Sequence, residues 1–248
     1  MGIRDTLKKR EEQRDAAANG GGPSDLPEGV KRYVGMGSYG EVNKDGRTFI
    51  VLADPDEWFY YFVHQDKKYE NGRTTHAFKK HTCLHSPKEV NADLVKYFKP
   101  GKSECISCKA GAKRKMYAMI PVYDLEYGTY RVIDTVEFHV NNLIADYDKI
   151  EKTMKKATKN PDYSIVGEAV HIKQVDKTFS MESGDATDEQ LEDAKRFIGA
   201  EFDYVELANF REIDDIKTLL TDAEDGSIDK SVLGASETQD DDDLTKQF

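Results

Sequence analysis

Short strand-like runs set off by glycine turns, longer helical stretches inserted among them, and a cysteine–histidine cluster near the middle place this 248-residue chain in the mainly-β class with added helices. The architecture they predict is an OB-fold-type small barrel with an embedded zinc subdomain, peripheral helices and a disordered acidic tail. The expected organisation is a flexible charged N-terminal arm over 1–25, a barrel core over 26–222 with the zinc subdomain at about 62–115, and an acidic tail over 223–248.

The arm comes first. Arg4, Lys8, Lys9, Arg10 and Arg14 alternate with Asp5, Glu11, Glu12 and Asp15, and the apolar content is too low for an independent helix. Asn19-Gly20-Gly21-Gly22-Pro23-Ser24 reads as a flexible linker. Gly35-Met36-Gly37-Ser38-Tyr39-Gly40-Glu41-Val42 fits the glycine-rich loop of protein kinases. The next strand, Thr48 to Ala53, carries no lysine, and neither H-R-D nor D-F-G occurs in the chain, so the motif reads as a turn between strands.

From Trp58 to His64 the chain is a dense aromatic strand, and Asn71-Gly72 supplies a tight hairpin turn into a strand over Thr74 to Thr82. Ser86-Pro87 looks like a capped helix start, giving a helix to about Phe98. After Cys105-Ile106-Ser107-Cys108, strands are expected from Met116 to Tyr123 and from Tyr130 to Thr135. A helix is expected over Val136 to Ala157, strands within Ser164 to Phe179, and helices at Asp188 to Phe202 (capped by Thr187) and Asn209 to Leu220.

Composition narrows the function classes. No apolar run is long enough to span a bilayer, and the N-terminus lacks a signal-type apolar region, so the expectation is a cytoplasmic, non-secreted protein. Three cysteines are an odd number and fit a metal site better than a disulfide framework. The net charge of −11 hides a strong asymmetry. Tyr60 to Met119 holds 13 Lys/Arg against 5 Asp/Glu, whereas Ser180 onward holds 21 Asp/Glu against 6 Lys/Arg.

A structural zinc site takes four thiolate or imidazole ligands. Cys105 and Cys108 supply two on one turn, Cys83 a third, and His64, His76, His81 or His85 the fourth; spacing alone does not choose among them. Four protein ligands leave no open position for a reacting water, and no H-x-E or H-E-x-x-H motif is present, so no enzyme is expected.

Binding single-stranded nucleic acid needs cations that track phosphates and flat rings on which bases stack. Alternation along the strand after the knuckle puts Lys115, Tyr117, Met119 and Tyr123 on an outer face, with Met116, Ala118, Ile120 and Val122 inward. Lys113 and Arg114 lead into that stripe, and Tyr127, Tyr130 and Arg131 follow it. Lys67, Lys68, Arg73, Lys79 and Lys80 line the neighbouring hairpin. At the other end, Asp240, Asp241, Asp242 and Asp243 followed by Leu244 and Phe248 form a tail suited to partner proteins and to competing with DNA for the basic surface.

In this order the residues resemble the T4-type phage single-stranded DNA-binding proteins, the helix-destabilising replication proteins. The resemblance spans about Phe62 to Val175: Val63-His64 opening a lysine-rich hairpin, Thr82-Cys83, the Cys105/Cys108 knuckle, Lys113-Arg114-Lys115-Met116-Tyr117, and His171-Ile172-Lys173-Gln174-Val175 as a late strand. It implies an OB fold with one structural zinc per chain and His64 as the fourth ligand. It also implies coating and protection of single-stranded DNA in replication, recombination and repair, in the cytoplasm of a bacterial host. Self-association along DNA through the N-terminal arm and recruitment of replication and recombination proteins by the acidic tail belong to the same expectation. An RNA-binding translational regulator, or a zinc-ribbon adaptor for protein partners, would share much of this pattern.

Overall fold

The computed structural model describes residues 26–27, 29–65, 67–70, 73–76, 78–223 and 228–234, with backbone alone for 67–70 and 73–76. The arm over 1–25 and the tail residues Asp240, Asp241, Asp242, Asp243, Leu244 and Phe248 lie outside the described residues. The first strands are β1 (Tyr33–Val34), β2 (Arg47–Val51), β3 (Phe59–His64), β4 (Lys67–Glu70), β5 (Arg73–His76) and β6 (His81–Thr82), with a 3-10 turn at Pro55–Glu57 before β3. Then come α1 (Ile106–Lys109), β7 (Arg114–Asp124), β8 (Thr129–Val136) and α2 (Glu137–Thr158). The chain continues through β9 (Ala169–Val175), β10 (Thr178–Ser183), α3 (Asp188–Ala194), α4 (Tyr204–Ala208) and α5 (Ile213–Thr221). Among the described residues no helix is long and apolar enough to cross a membrane.

The main sheet runs β1-β8-β7-β2-β9-β10, with β3 pairing β7 and β6. β7 organises it. One edge of this 11-residue strand pairs β8 from Tyr117 to Asp124. The other edge is shared: Arg114 to Met119 pair β3, and Val122 to Asp124 pair β2. The sheet curls until β1, parallel to β8, meets the chain entering β2 through a Met36–Val42 bridge. That bridge is the glycine-rich motif: Val42 N–H donates to Gly35 O, and Gly37 N–H to Val42 O. A side chain on Gly40 would sit 2.5 Å from Gly35 O, so the turn requires glycine there.

Both faces of β7 are covered. Ala118, Ile120 and Val122 meet the interior with Phe49, Ile133 and the α2 residues Val140, Leu143 and Tyr147. On the opposite face Met119 packs with Phe59, Tyr61, Val132, Tyr204 and Leu207. Tyr123 packs with Ile50, Leu52 and Ala194, and Phe197 lies against its ring. The acidic C-terminal segment thus occupies the face that alternation alone assigns to solvent. Met119 and Tyr123 are buried, and Tyr130 is wedged against Phe197 and Phe202.

Arg131 is also an interior residue. Its five N–H donors are all taken: Nε donates to Lys31 O, Nη1 to Glu41 Oε1 (2.6 Å) and Asp124 Oδ2 (2.9 Å), and Nη2 to Glu41 Oε2 and Tyr33 O (2.8 Å each). Arg47 completes the cluster at 2.6 Å from Asp124 Oδ1 and 3.2 Å from Glu41 Oε1. Tyr127 lies over both guanidiniums, at 5.0 Å and 5.2 Å. Arg131 and Tyr123 are therefore interior residues, which corrects their assignment to a nucleic-acid surface, while Tyr127 and Tyr130 are half-buried.

Other local expectations divide. The hairpin pairs Glu70 with Arg73; the Asn71-Gly72 turn that links them lies outside the described residues. The strand expected over Thr74 to Thr82 is two pieces, β5 and β6. No helix fills Ser86 to Phe98, only a single 3-10 turn at Leu94–Tyr97. The Ser86 hydroxyl accepts from Phe62 N–H (2.8 Å) and so does not cap a helix, and Asn91 adopts φ 64°, which interrupts a right-handed turn. α2 matches its expected span, and α3 carries the full capping box between Thr187 and Gln190. α4 is an addition, and α5 starts later than expected. The ordered chain extends past 222: Ile228 is buried, and Lys230–Leu233 forms a 3-10 turn against α5 and α1.

Removing one member of the buried cluster leaves an uncompensated charge. Asp124→Ala and Arg131→Met should each lower unfolding free energy by about 3–5 kcal/mol in urea denaturation. A loss under about 1 kcal/mol would place the cluster outside the folded core's energetics.

Candidate metal centre and basic surface

Three elements carry the four donors. His64 ends β3 between two partners, paired with His81 of β6 and Arg114 of β7, and is fully buried. Cys83 follows β6, where its N–H donates to Phe62 O at 2.8 Å. Cys105 precedes α1, and the single turn closed by Lys109 N–H to Cys105 O swings Cys108 to the same side. Phe62 and the three cysteines share a small cluster of their own.

The donor atoms of His64, Cys83, Cys105 and Cys108 lie within 4.8 Å of one another, and all four residues are buried. Cys83 Sγ is 3.6 Å from Cys108 Sγ; His64 Nε2 is 3.4 Å from Cys105 Sγ and 3.6 Å from Cys108 Sγ. A tetrahedral ion with zinc-type bond lengths has S···S edges of ~3.8 Å and S···N edges of ~3.6 Å. The residues fit one such ion.

The imidazole is oriented for this. His64 Nδ1 faces Ala112 O at 3.1 Å and Lys113 O at 3.3 Å. A carbonyl only accepts, so Nδ1 carries the proton and Nε2 keeps its lone pair for the metal. The other histidines are used differently. His81 stacks on His64 at 5.3 Å, with Nδ1 2.9 Å from Lys79 O and Nε2 2.7 Å from Ser107 Oγ. Burial pushes its pKa down to about 4, so the ring is neutral, donates to Lys79 O and accepts the Ser107 hydroxyl. His85 sits outside the cluster, 3.8 Å from Glu104. The His76 side chain lies outside the described residues.

The thiols are electrostatically coupled. Hydrogen bonds from Cys108 and Cys83 hold Cys105 far below the usual thiol range, with His64 adding to the effect. Hydrogen bonds with Cys105 and Cys108, then burial, push Cys83 far up. Three thiolates with a neutral imidazole around a divalent ion carry a net charge of about −1. Among the described residues Arg114 places a cation against this cluster. Its Nη1 is 3.7 Å from Cys83 Sγ and 3.2 Å from His85 O, Nη2 donates to Tyr97 O, and its guanidinium lies 4.4 Å over the Phe62 ring. Arg114 therefore faces the metal centre, whereas its neighbours Lys113 and Lys115 are exposed.

What remains of the expected nucleic-acid surface sits at one end of β6-β3-β7. Lys79, Lys80, Lys113 and Lys115 are exposed there. Tyr117 is half-buried, with Lys80 Nζ 4.0 Å from its ring centroid and its hydroxyl bonded to Gln65. Lys80 also pairs with Asp134 at 3.2 Å. Lys67, Lys68 and Arg73 lie on β4 and β5, which leave from this end; their side chains are outside the described residues. The inward Arg114 and the Glu41–Asp124–Arg131 cluster were not visible in the sequence as such, because nothing local separates a surface arginine from a buried one.

Comparison of the chain with protein-family models, curated proteins and solved structures returns no match.

Elemental analysis of the purified protein is expected to give one divalent metal per chain. His64→Asn should bring the content well below one, and His81→Asn should leave it near one; the opposite pattern would transfer the ligand role to His81. Arg114→Met should weaken retention against a competing chelator by about 10- to 100-fold, and unchanged retention would reduce Arg114 to a packing role.

Proposed function

We propose that this protein binds single-stranded DNA without catalysing a reaction, with one structural zinc holding its basic end together. The observation that carries the reading is the grouping of exposed Lys79, Lys80, Lys113 and Lys115 around the half-buried Tyr117, beside the His64–Cys83–Cys105–Cys108 centre. Cations and a flat ring on neighbouring strands are what a strand of bases and phosphates needs. In a chain of net charge −11, such a local excess of lysine has a specific use.

Two further observations support it. The order β8-β7-β2-β9-β10, with α2 inserted between β8 and β9, is compatible with a five-stranded Greek-key arrangement of the OB type, a scaffold suited to oligonucleotides. The sulfur-rich, oxygen-free donor set favours zinc over magnesium or calcium. With four protein donors the ion has no open position, so its role is to fix β3, β6 and α1 relative to one another. On this reading the protein coats strands during replication, recombination and repair in a bacterial host, and recruits partner proteins through its acidic C-terminus.

Fluorescence anisotropy with labelled oligo-dT at low salt should give a dissociation constant below about 1 µM, with log K falling by ~0.7 per phosphate contact against log salt. Lys113→Glu with Lys115→Glu should weaken binding at least about tenfold and flatten that slope. No binding at low salt would overturn the reading. Preference for oligo-U over oligo-dT in competition would move it to RNA.

A further inference from the structure

Between Cys83 and Cys105 the chain makes a long excursion across the metal centre, and its outer part has an unusual surface. Residues 94–102, Leu-Val-Lys-Tyr-Phe-Lys-Pro-Gly-Lys, contain three lysines and no acidic residue. Lys96, Lys99 and Lys102 are all exposed. Phe98 is 56% exposed although it is a large aromatic.

This segment is anchored rather than loose. Arg114 ties its backbone to the metal ligands by donating to Tyr97 O and His85 O while facing Cys83 Sγ. Phe98 touches Phe62 edge-on, with ring centroids 6.4 Å apart. Gly101 passes directly beneath His85, where a side chain would lie 2.1 Å from the imidazole, and its carbonyl accepts from Cys105 N–H. A phenylalanine held by its edge while most of its surface stays in water is pre-organised to stack. The neighbouring acids are few: Asp93 lies 3.8 Å from Lys96, and Glu104 faces His85.

We propose that Phe98, with Lys96, Lys99 and Lys102, forms a second contact for single-stranded nucleic acid: Phe98 stacks on one base and the lysines take the adjoining phosphates. The inference rests on the single-strand reading above. Charge selects the occupant, since three cations around an exposed ring match an alternating base and phosphate. Arg114 lies between Lys113 and Lys115 but turns to the other face of β7, so the strand that carries the first basic patch anchors the second on its opposite side. The metal centre links the two, and loss of the ion would release the Phe98 segment from its anchor.

The test uses the full-length, metal-loaded protein and oligo-dT at low salt. Phe98→Ala and Phe98→Leu should each weaken binding by about 5- to 150-fold, Phe98→Trp should restore it, and Phe138→Ala, at a 60% exposed site on α2, should bind like wild type. Phe98→Leu keeps an apolar contact with Phe62 but cannot stack, so its loss identifies stacking where Phe98→Ala alone could reflect a loosened segment. Wild-type affinity in both Phe98→Ala and Phe98→Leu, alongside a wild-type protein that binds, would overturn this contact and leave the single-strand reading intact. Equal losses in Phe98→Ala and Phe138→Ala would also overturn it. Absence of binding by wild type fails the single-strand reading itself.

Discussion

Three thiols and one imidazole crowded within 4.8 Å impose the constraint on which the basic end of this protein depends. Buried together without an ion, they repel or must share protons. With an ion they become a clip joining β3, the residue after β6, and α1. Among the described residues the only apolar side chain buried in the cluster besides the cysteines is Phe62, with Leu84, Tyr97 and Met116 at its margin. Hydrophobic burial of that size cannot order a segment as long as Cys83 to Cys105 against its conformational entropy. The α1 side draws additional support from α5 and Ile228, which pack with Phe78, Ala110 and Ala112.

The same constraint divides the positive charges. Arg32, Arg47, Arg114 and Arg131 all turn inward, onto carbonyls, carboxylates, a cysteine sulfur or aromatic rings. None of the described lysines is buried. The guanidinium is planar, weakly hydrated and rich in directed donors, so it can satisfy several buried acceptors at once; an ammonium cannot do so at similar cost. Counting lysine and arginine together therefore overstates the cationic surface. In Lys113-Arg114-Lys115 the period of the strand makes the distinction: the middle residue faces the Cys83 sulfur and the flanking lysines face water.

Features whose cause is local were legible in the sequence. α2 follows from its apolar spacing, α3 from the Thr187–Gln190 box, and the β4–β5 pairing from the turn chemistry of Asn71-Gly72. The three cysteines announced a metal site in the same way. Features set by distant residues were not legible. The fourth ligand is chosen by register, since pairing with both His81 and Arg114 puts His64 over the knuckle; spacing treats His81 and His85 as equally good. Alternation in β7 correctly identified one buried face but could not show that Tyr204 and Phe197, some eighty residues downstream, cover the other. Ser86 reads as a helix cap until Phe62 N–H takes its hydroxyl. In each case the competing partner lies far along the chain.

The interior under the main sheet and the candidate metal centre occupy different parts of the molecule. The main interior, from Val34 and Phe49 through Trp58, Ile133 and Leu143 to Met181, contains none of the four metal donors. It is sealed instead by the Glu41–Asp124–Arg131 cluster, which ties the glycine-rich bridge to β7 and β8. β7 is the element common to both, with its last residues in the buried charge cluster and its first beside the cysteine sulfurs. A change at the metal therefore acts first on the start of β7, on the Lys113 carbonyl that orients His64, and on the segment that Arg114 holds. The far end of the strand is fixed by buried charges that the metal does not touch. Such a division puts the four candidate donors and the main interior at opposite ends of one strand, so that an ion held by the donors would act on the start of β7 and not on the main interior.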